Sequence, residues 1–201
     1  MGFEGRYSVE KTEERRDWVE AAAVSPEGRN WSCIASGDSN GELLAWQEET
    51  KAQSITAHSG SCICSLYLSL DGTALASGSE DKTMKPWSTE TWQPQRDIIT
   101  YGMLVNCVRY SPSGKFIAVA TILGIQIYPS TGRSVHDPWI GHTDDITTIA
   151  LNSNGTLVAS ASEDKHVRFW EIFNRQTIMI SIPTERILAY PSSWHTQSQR
   201  R

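Results

Sequence analysis

Nearly the same eleven residues are written twice in this chain, 83 positions apart: SGSEDKTMKPW at 77–87 and SASEDKHVRFW at 160–170. Halving that interval predicts a further copy near the midpoint, and worn copies do mark a steady beat. Turn-like tetrads stand at Ser25-Pro26-Glu27-Gly28, Ser69-Leu70-Asp71-Gly72, Ser111-Pro112-Ser113-Gly114 and Asn152-Ser153-Asn154-Gly155, spaced by 44, 42 and 41. Aromatic residues repeat the beat at Trp46, Trp87, Tyr128 and Trp170, spaced by 41, 41 and 42. The first tetrad interval is longer because Arg29-Asn30-Trp31 is inserted in its loop. A period of this length means stacked supersecondary modules, none of which can bury its apolar face alone.

Each module reads as strands. Alternating apolar residues precede every tetrad: Val19, Ala22 and Val24; Ile63, Leu66 and Leu68; Val105, Val108 and Tyr110; Ile146, Ile149 and Leu151. Short apolar runs follow it, then a polar turn, then a strand closing on the aromatic residue. A less regular fourth strand is expected at 53–56, 96–99, 133–135 and 176–180. Short strands with Gly, Ser, Asn and Asp between them at this spacing mean an all-β protein. No segment sustains a helical period. Pro86 sits inside the strand leading to Trp87, where it removes a ladder donor, so that strand is expected to be distorted.

Composition narrows the function classes. A net charge of −5 provides no field for nucleic acid or anionic membranes. No apolar run reaches membrane-spanning length, and MGFEGRYSVEKTEERRD carries no signal-peptide core. The cysteines Cys33, Cys62, Cys64 and Cys107 form no CxxC pair. Cys62 and Cys64 point the same way on a strand and could share a ligand; small packing residues in a reducing compartment are the plainer reading. An intracellular protein, cytoplasmic or nuclear, is expected. No phosphate loop, HExxH or cofactor fingerprint occurs, so no cofactor and no metal are expected.

The modules resemble the WD-repeat β-propeller family. Its hallmark runs Gly-His, a Ser-Pro-Asp-Gly-type turn, a strand ending in Ser, an Asp turn, then Trp. Gly141-His142, Asn152 to Gly155, Ser160, Asp164 and Trp170 follow that order in full; Ala57-His58, Ser69 to Gly72, Ser77, Asp81 and Trp87 nearly do. The resemblance implies about four four-stranded blades, at 15–56, 57–99, 100–140 (degenerate) and 141–182. A polar segment at 1–14 precedes them, and 183–201 is a tail or the start of a fifth blade. Family members typically have seven blades, so four of that curvature make an open or incomplete ring. Self-association to complete the ring is one consequence; a truncated fragment without independent function is another.

The resemblance also implies a buried hydrogen-bond chain in each unit: His58, Ser77, Asp81 and Trp87, and again His142, Ser160, Asp164 and Trp170. Imidazole, hydroxyl, carboxylate and indole have the complementary donors and acceptors for it. Two units depart from the pattern. The first has Arg15 and Asn40 in the His and Asp slots, with Ser36 and Trp46 kept. The third has Tyr101, Val119 and Tyr128 at the His, Ser and Trp positions, with its Asp slot lost near Ile122-Leu123.

A Ser/His/Asp set also suggests a hydrolase, and Asp144, His142 and His166 are the residues to nominate for an enzyme. Yet the set recurs at the period of the fold, tied to a Trp each time, and no GxSxG elbow exposes a serine. The expected function is therefore a non-enzymatic scaffold whose loops bind proteins or peptides. Asp144, Asp145 and Glu163 form an acidic cluster suited to a Lys- or Arg-bearing partner.

Overall fold

A computed structural model describes residues 17–25, 33–47, 53–95, 98–122, 124–130, 137–173 and 177–183. These residues form sixteen strands in four separate antiparallel sheets. Sheet 1 contains β1 (Val19–Val24), β2 (Cys33–Asp38), β3 (Glu42–Gln47) and β4 (Gln53–Thr56). Sheet 2 contains β5 (Ile63–Leu68), β6 (Ala74–Ser79), β7 (Thr83–Ser88) and β8 (Ile99–Thr100). Sheet 3 contains β9 (Val105–Tyr110), β10 (Phe116–Thr121), β11 (Gly124–Pro129) and β12 (Trp139–Ile140). Sheet 4 contains β13 (Ile146–Leu151), β14 (Leu157–Ser162), β15 (His166–Glu171) and β16 (Thr177–Pro183). Within each sheet the strands are neighbours in chain order, a meander.

In sheets 2, 3 and 4 the tetrads make the first hairpin. In sheet 2, Ser69 Oγ accepts from Ala74 N–H at 2.9 Å and donates to Asp71 Oδ1 at 2.6 Å. Gly72, Gly114 and Gly155 close three of these turns with φ of 72, 67 and 68°, a region that favours glycine.

The first strands lie side by side: β1 packs beside β5, β5 beside β9, and β9 beside β13. Between successive sheets lie three apolar cores. Ala35, Leu43 and Ala45 of sheet 1 meet Ile63, Leu66, Leu75 and Trp87 of sheet 2. Ala76 and Met84 meet Val105, Val108, Ile117 and Val119 in the second core. Cys107, Ala118 and Ile125 meet Ile146, Ile149, Val158 and Trp170 in the third. Four sheets and three cores make an open, unclosed propeller. Burial grades accordingly: β6 is buried along its whole length, whereas β14 of the last sheet alternates buried with half-buried residues.

Of the outer strands, β4 falls on the expected 53–56, and the others are placed differently. β8 falls at Ile99–Thr100, at the end of the expected 96–99, and the described outer strand of sheet 3 is β12 at Trp139–Ile140. β16 runs on to Pro183, past 180, and β8 and β16 each end one residue beyond the expected unit limits of 99 and 182. The cause in sheet 2 is Pro86. Its strand is not distorted: the β6–β7 register passes through Ala76↔Pro86 without a shift. The Pro86 carbonyl accepts from Gln95 N–H at 2.8 Å, so its donor-less nitrogen faces the outer edge as well. The interruption therefore falls on β8, which pairs only at Thr83↔Thr100 and Met84↔Ile99. Arg15, Leu123 and residues 1–14, 133–135 and 184–201 lie outside the described residues.

Candidate functional site

His58 follows β4, and its backbone belongs to sheet 1: the N–H groups of Ala57 and His58 both donate to Gly41 O at 2.9 Å. Gly41 sits in the β2–β3 turn at φ 84°, and an added Cβ would run into the His58 carbonyl. The His58 side chain belongs to sheet 2. Its Nδ1 lies 2.8 Å from Asp81 Oδ2 in the β6–β7 turn, and its Nε2 lies 2.7 Å from Ser77 Oγ on β6. Trp87 Nε1–H donates to the same Ser77 oxygen at 2.9 Å.

The protons in this chain have one consistent arrangement. A carboxylate only accepts, so Nδ1 carries the imidazole proton. Nε2 then accepts from the Ser77 hydroxyl, which accepts from the indole. Burial pushes the His58 imidazole below its ordinary value, against the pull of Asp81, which favours the neutral ring this scheme needs. Burial would raise Asp81, but bonds from Thr83 and His58 outweigh it and hold the carboxyl below its ordinary value. Thr83 supplies both its N–H and its hydroxyl to Asp81 Oδ1, at 2.9 and 2.6 Å.

Sheet 4 repeats the geometry. His142 Nδ1 lies 2.8 Å from Asp164 Oδ2, His142 Nε2 lies 2.7 Å from Ser160 Oγ, and Trp170 Nε1–H donates to Ser160 Oγ at 2.8 Å. Burial opposes ionisation of Asp164, but His142 and the N–H groups of Thr143 and His166 hold its carboxyl down at about 2. Trp139, at the end of sheet 3, stacks on Trp170 with ring centroids 6.0 Å apart. Both networks thus cross from one sheet to the next.

The junction between sheets 2 and 3 uses packing instead. Tyr101 N–H donates to Lys82 O at 2.9 Å, as His58 does to Gly41. The Tyr101 ring then meets Tyr128 edge-on with centroids 5.4 Å apart, inside the core that holds Val119. Burial drives the Tyr101 phenol far above its ordinary range, and its hydroxyl has no hydrogen bond among the described residues. In sheet 1, Asn40 is exposed and Ser36 is buried; Asp38 Oδ1 binds the turn instead, accepting from Asn40 and Glu42 N–H at 3.0 and 2.8 Å.

Asp144 and Glu163 are exposed and Asp145 is half-buried. The backbone brings them together: Glu163 N–H donates to Asp145 O at 2.9 Å, and Ser162 Oγ–H to Asp144 O at 2.9 Å. The nominated enzyme residues do not converge on a cleft. His142 is buried in its network, Asp144 caps Asp145 N–H at 2.9 Å, and His166 Nδ1 lies 3.4 Å from Asp164 Oδ1. The Asp–His–Ser connectivity matches that of a hydrolytic triad, but Ser77 and Ser160 are 0% and 1% exposed, and each oxygen is occupied by an indole N–H.

Sequence reasoning missed one recurrent feature. Each first strand carries a bulge, leaving Glu20, Cys64, Asn106 and Thr147 without a Cα partner on the second strand. Their spacings of 44, 42 and 41 equal those of the tetrads, so the signal was present in the period.

The family described as "WD domain, G-beta repeat" matches residues 49–87 and 132–171. The chain is a WD-repeat protein. Each matched segment starts ahead of the outer strand of one sheet and ends at the third strand of the next, so each WD repeat straddles the junction its histidine crosses. WD repeat-containing protein srw1 of Schizosaccharomyces pombe is 26% identical over 74% of this chain and 28% of its own length. Meiotic recombination protein rec14 of the same yeast is 27% identical, over 66% of this chain and 45% of its own. Echinoderm microtubule-associated protein-like 1 of Homo sapiens is 23% identical, over 78% and 20%. The chain spans less than half the length of each of these relatives. WD-repeat proteins generally serve as protein-interaction scaffolds, and this chain shares their blade architecture. No helix long and apolar enough to cross a membrane occurs among the described residues.

Proposed function

We propose that this chain binds protein or peptide partners through its propeller loops and catalyses nothing. One observation carries the reading: both serine hydroxyls of the Asp–His–Ser sets are buried and fully engaged in holding sheets together. A substrate carbonyl would have to displace an indole inside a packed core to reach them. Burial of those side chains leaves the loops as the chemically available surface.

The partner surface we assign is the acidic rim of Asp144, Asp145 and Glu163, which suits a Lys- or Arg-bearing segment and binds it more weakly as salt rises. A panel of basic, neutral and acidic peptides, read by fluorescence anisotropy, tests this. Basic peptides bind the wild type with salt-sensitive affinity, and changing Asp144, Asp145 and Glu163 together to Ala removes that binding. Equal binding by the triple variant overturns the assignment. The net charge of −5 and four unpaired cysteines support a partner other than nucleic acid or membrane, in the reducing cytoplasm or nucleus.

A second reading concerns self-association. Trp18, Val19, Val24 and Ile34 of the first sheet are 75, 54, 66 and 45% exposed, apolar surface at one end of the arc. A second copy covering that end doubles the mass in solution; a monomer at micromolar concentration overturns it.

A further inference from the structure

The bulge on β5 carries an arrangement that the hydrogen-bond networks do not use. It leaves Cys64 without a partner on β6. Cys62 stands two residues earlier, and its carbonyl accepts from Glu80 N–H in the β6–β7 turn at 3.1 Å. This bond folds the turn over the start of the strand. As a result, the sulfurs of Cys62 and Cys64 and a carboxylate oxygen of Glu80 all lie within 4.8 Å of one another. Both thiols are half-buried and Glu80 is exposed, so the group opens to solvent on one side. Cys64 Sγ makes a weak contact of 3.9 Å with Cys62 O.

We propose that Cys62, Cys64 and Glu80 hold one soft divalent cation of the zinc class, with water in the fourth position. Thiolates select such ions, whereas calcium and magnesium require a shell of oxygens that one carboxylate does not supply. Zn–S bonds of about 2.3 Å at a tetrahedral angle place two sulfurs ~3.8 Å apart, inside the observed spread. Glu20, the bulge residue of β1, and Asp38 add negative charge near Cys62, where a cation is attracted. On binding, each thiol releases one proton to solvent, two metal–sulfur bonds and one metal–oxygen bond form, and no electron moves. The ion would pin the start of β5 to the turn that carries Asp81.

Sheet 4 is the internal control. The same turn bond recurs there, Glu163 N–H to Asp145 O at 2.9 Å, and the residues in the three places are Asp145, Thr147 and Glu163. Thr147 donates its hydroxyl to Ala161 O at 3.2 Å, so that site has no sulfur and the thiol pair is particular to sheet 2.

The test uses the full chain, reduced with a non-thiol reductant and freed of metal, titrated with cadmium ion as the probe. A thiolate-to-cadmium absorption band grows and saturates at one ion per chain. Cys62→Ser and Cys64→Ser each abolish it, and Cys107→Ala leaves it intact. Glu80→Gln weakens binding by about tenfold or more, because a direct ligand matters no less than outer-shell partners whose loss costs roughly 10–100-fold. Cadmium also raises the Tm of the wild type and not that of Cys62→Ser, as mass action requires. Circular dichroism establishes that each variant is folded, and the wild-type titration stands without any variant. No stoichiometric band in the wild type, a band that survives Cys62→Ser, or an affinity unmoved by Glu80→Gln overturns the site.

Discussion

Sheet 2 meets sheet 1 through His58, and sheet 3 meets sheet 2 through Tyr101, from the same place in the repeat. The backbones match: each residue follows an outer strand and donates to the turn of the preceding sheet, at Gly41 or at Lys82. The side chains do opposite things. His58 enters a relay of four polar groups, buried and mutually satisfied, and so does His142. Tyr101 enters an apolar core beside Tyr128 and Val119, with its hydroxyl unbonded among the described residues. The difference teaches that the fold needs the junction filled and the backbone strap made, and that the polar relay is one of two ways to fill it. A relay specifies a single geometry but is costly when one member is lost; packing is tolerant and pH-independent.

The sharpest way to break that comparison is to remove a hub. Ser77→Ala leaves the Trp87 indole and the His58 imidazole without their shared partner, at about 1–3 kcal/mol for each stranded group, so about 3 kcal/mol in total. Ser160→Ala does the same in sheet 4. Denaturant melts measure both losses. A cost below about 0.5 kcal/mol for either variant contradicts the hub role.

Acid provides a smaller, graded test. Asp164 has a folded value near 2 against an ordinary 3.8, so its stabilisation is present above 3.8 and is lost as pH falls from 3.8 towards 2. Its size is on the order of 1 kcal/mol once solvent screening is allowed for. His58 titrates in another window. Its folded value lies below the ordinary 6.5, so the unfolded chain takes the proton first and stability falls as pH drops below 6.5. Melts at stepped pH display both declines, and Asp164→Asn reduces the one below 3.8, to which Asp81 also contributes, while keeping the other.

The smallest effect is expected in sheet 3. Tyr101→Phe removes a hydroxyl that bonds to nothing described, so stability changes by less than about 0.5 kcal/mol, or rises slightly. The matching variant His58→Phe, of similar bulk, takes a buried partner from both Asp81 and Ser77 and costs several times more. Equal costs for the two would erase the distinction between the junctions.

Much of this was legible because the period is rigid. The pairs 77–87 and 160–170 fix where the second and third strands of sheets 2 and 4 lie, and side chains tied to that period, from Ser77 to Trp170, fell into register with it. Of the outer strands, β4 was legible at 53–56 and the shortest were not. β8 and β12 are two residues each, and such short edges depend on what the neighbouring strand offers, as Pro86 demonstrates by facing its missing donor outward. Placing His58 in the unit that follows it hid a second fact: its backbone is anchored by the sheet before. A sequence repeat and a structural sheet need not share boundaries, and here the offset is the device that links neighbours. The bulges escaped notice because a strand read by two-residue alternation has no place for an extra residue.

Hydrogen exchange at the tryptophan indoles tests the central claim most directly. If Ser77 and Ser160 each hold an indole inside a sheet junction, the Nε1–H groups of Trp87 and Trp170 exchange only on global unfolding, far more slowly than that of Trp18, which is 75% exposed. Exchange of Trp87 and Trp170 at the rate of Trp18 in the folded protein would contradict the account.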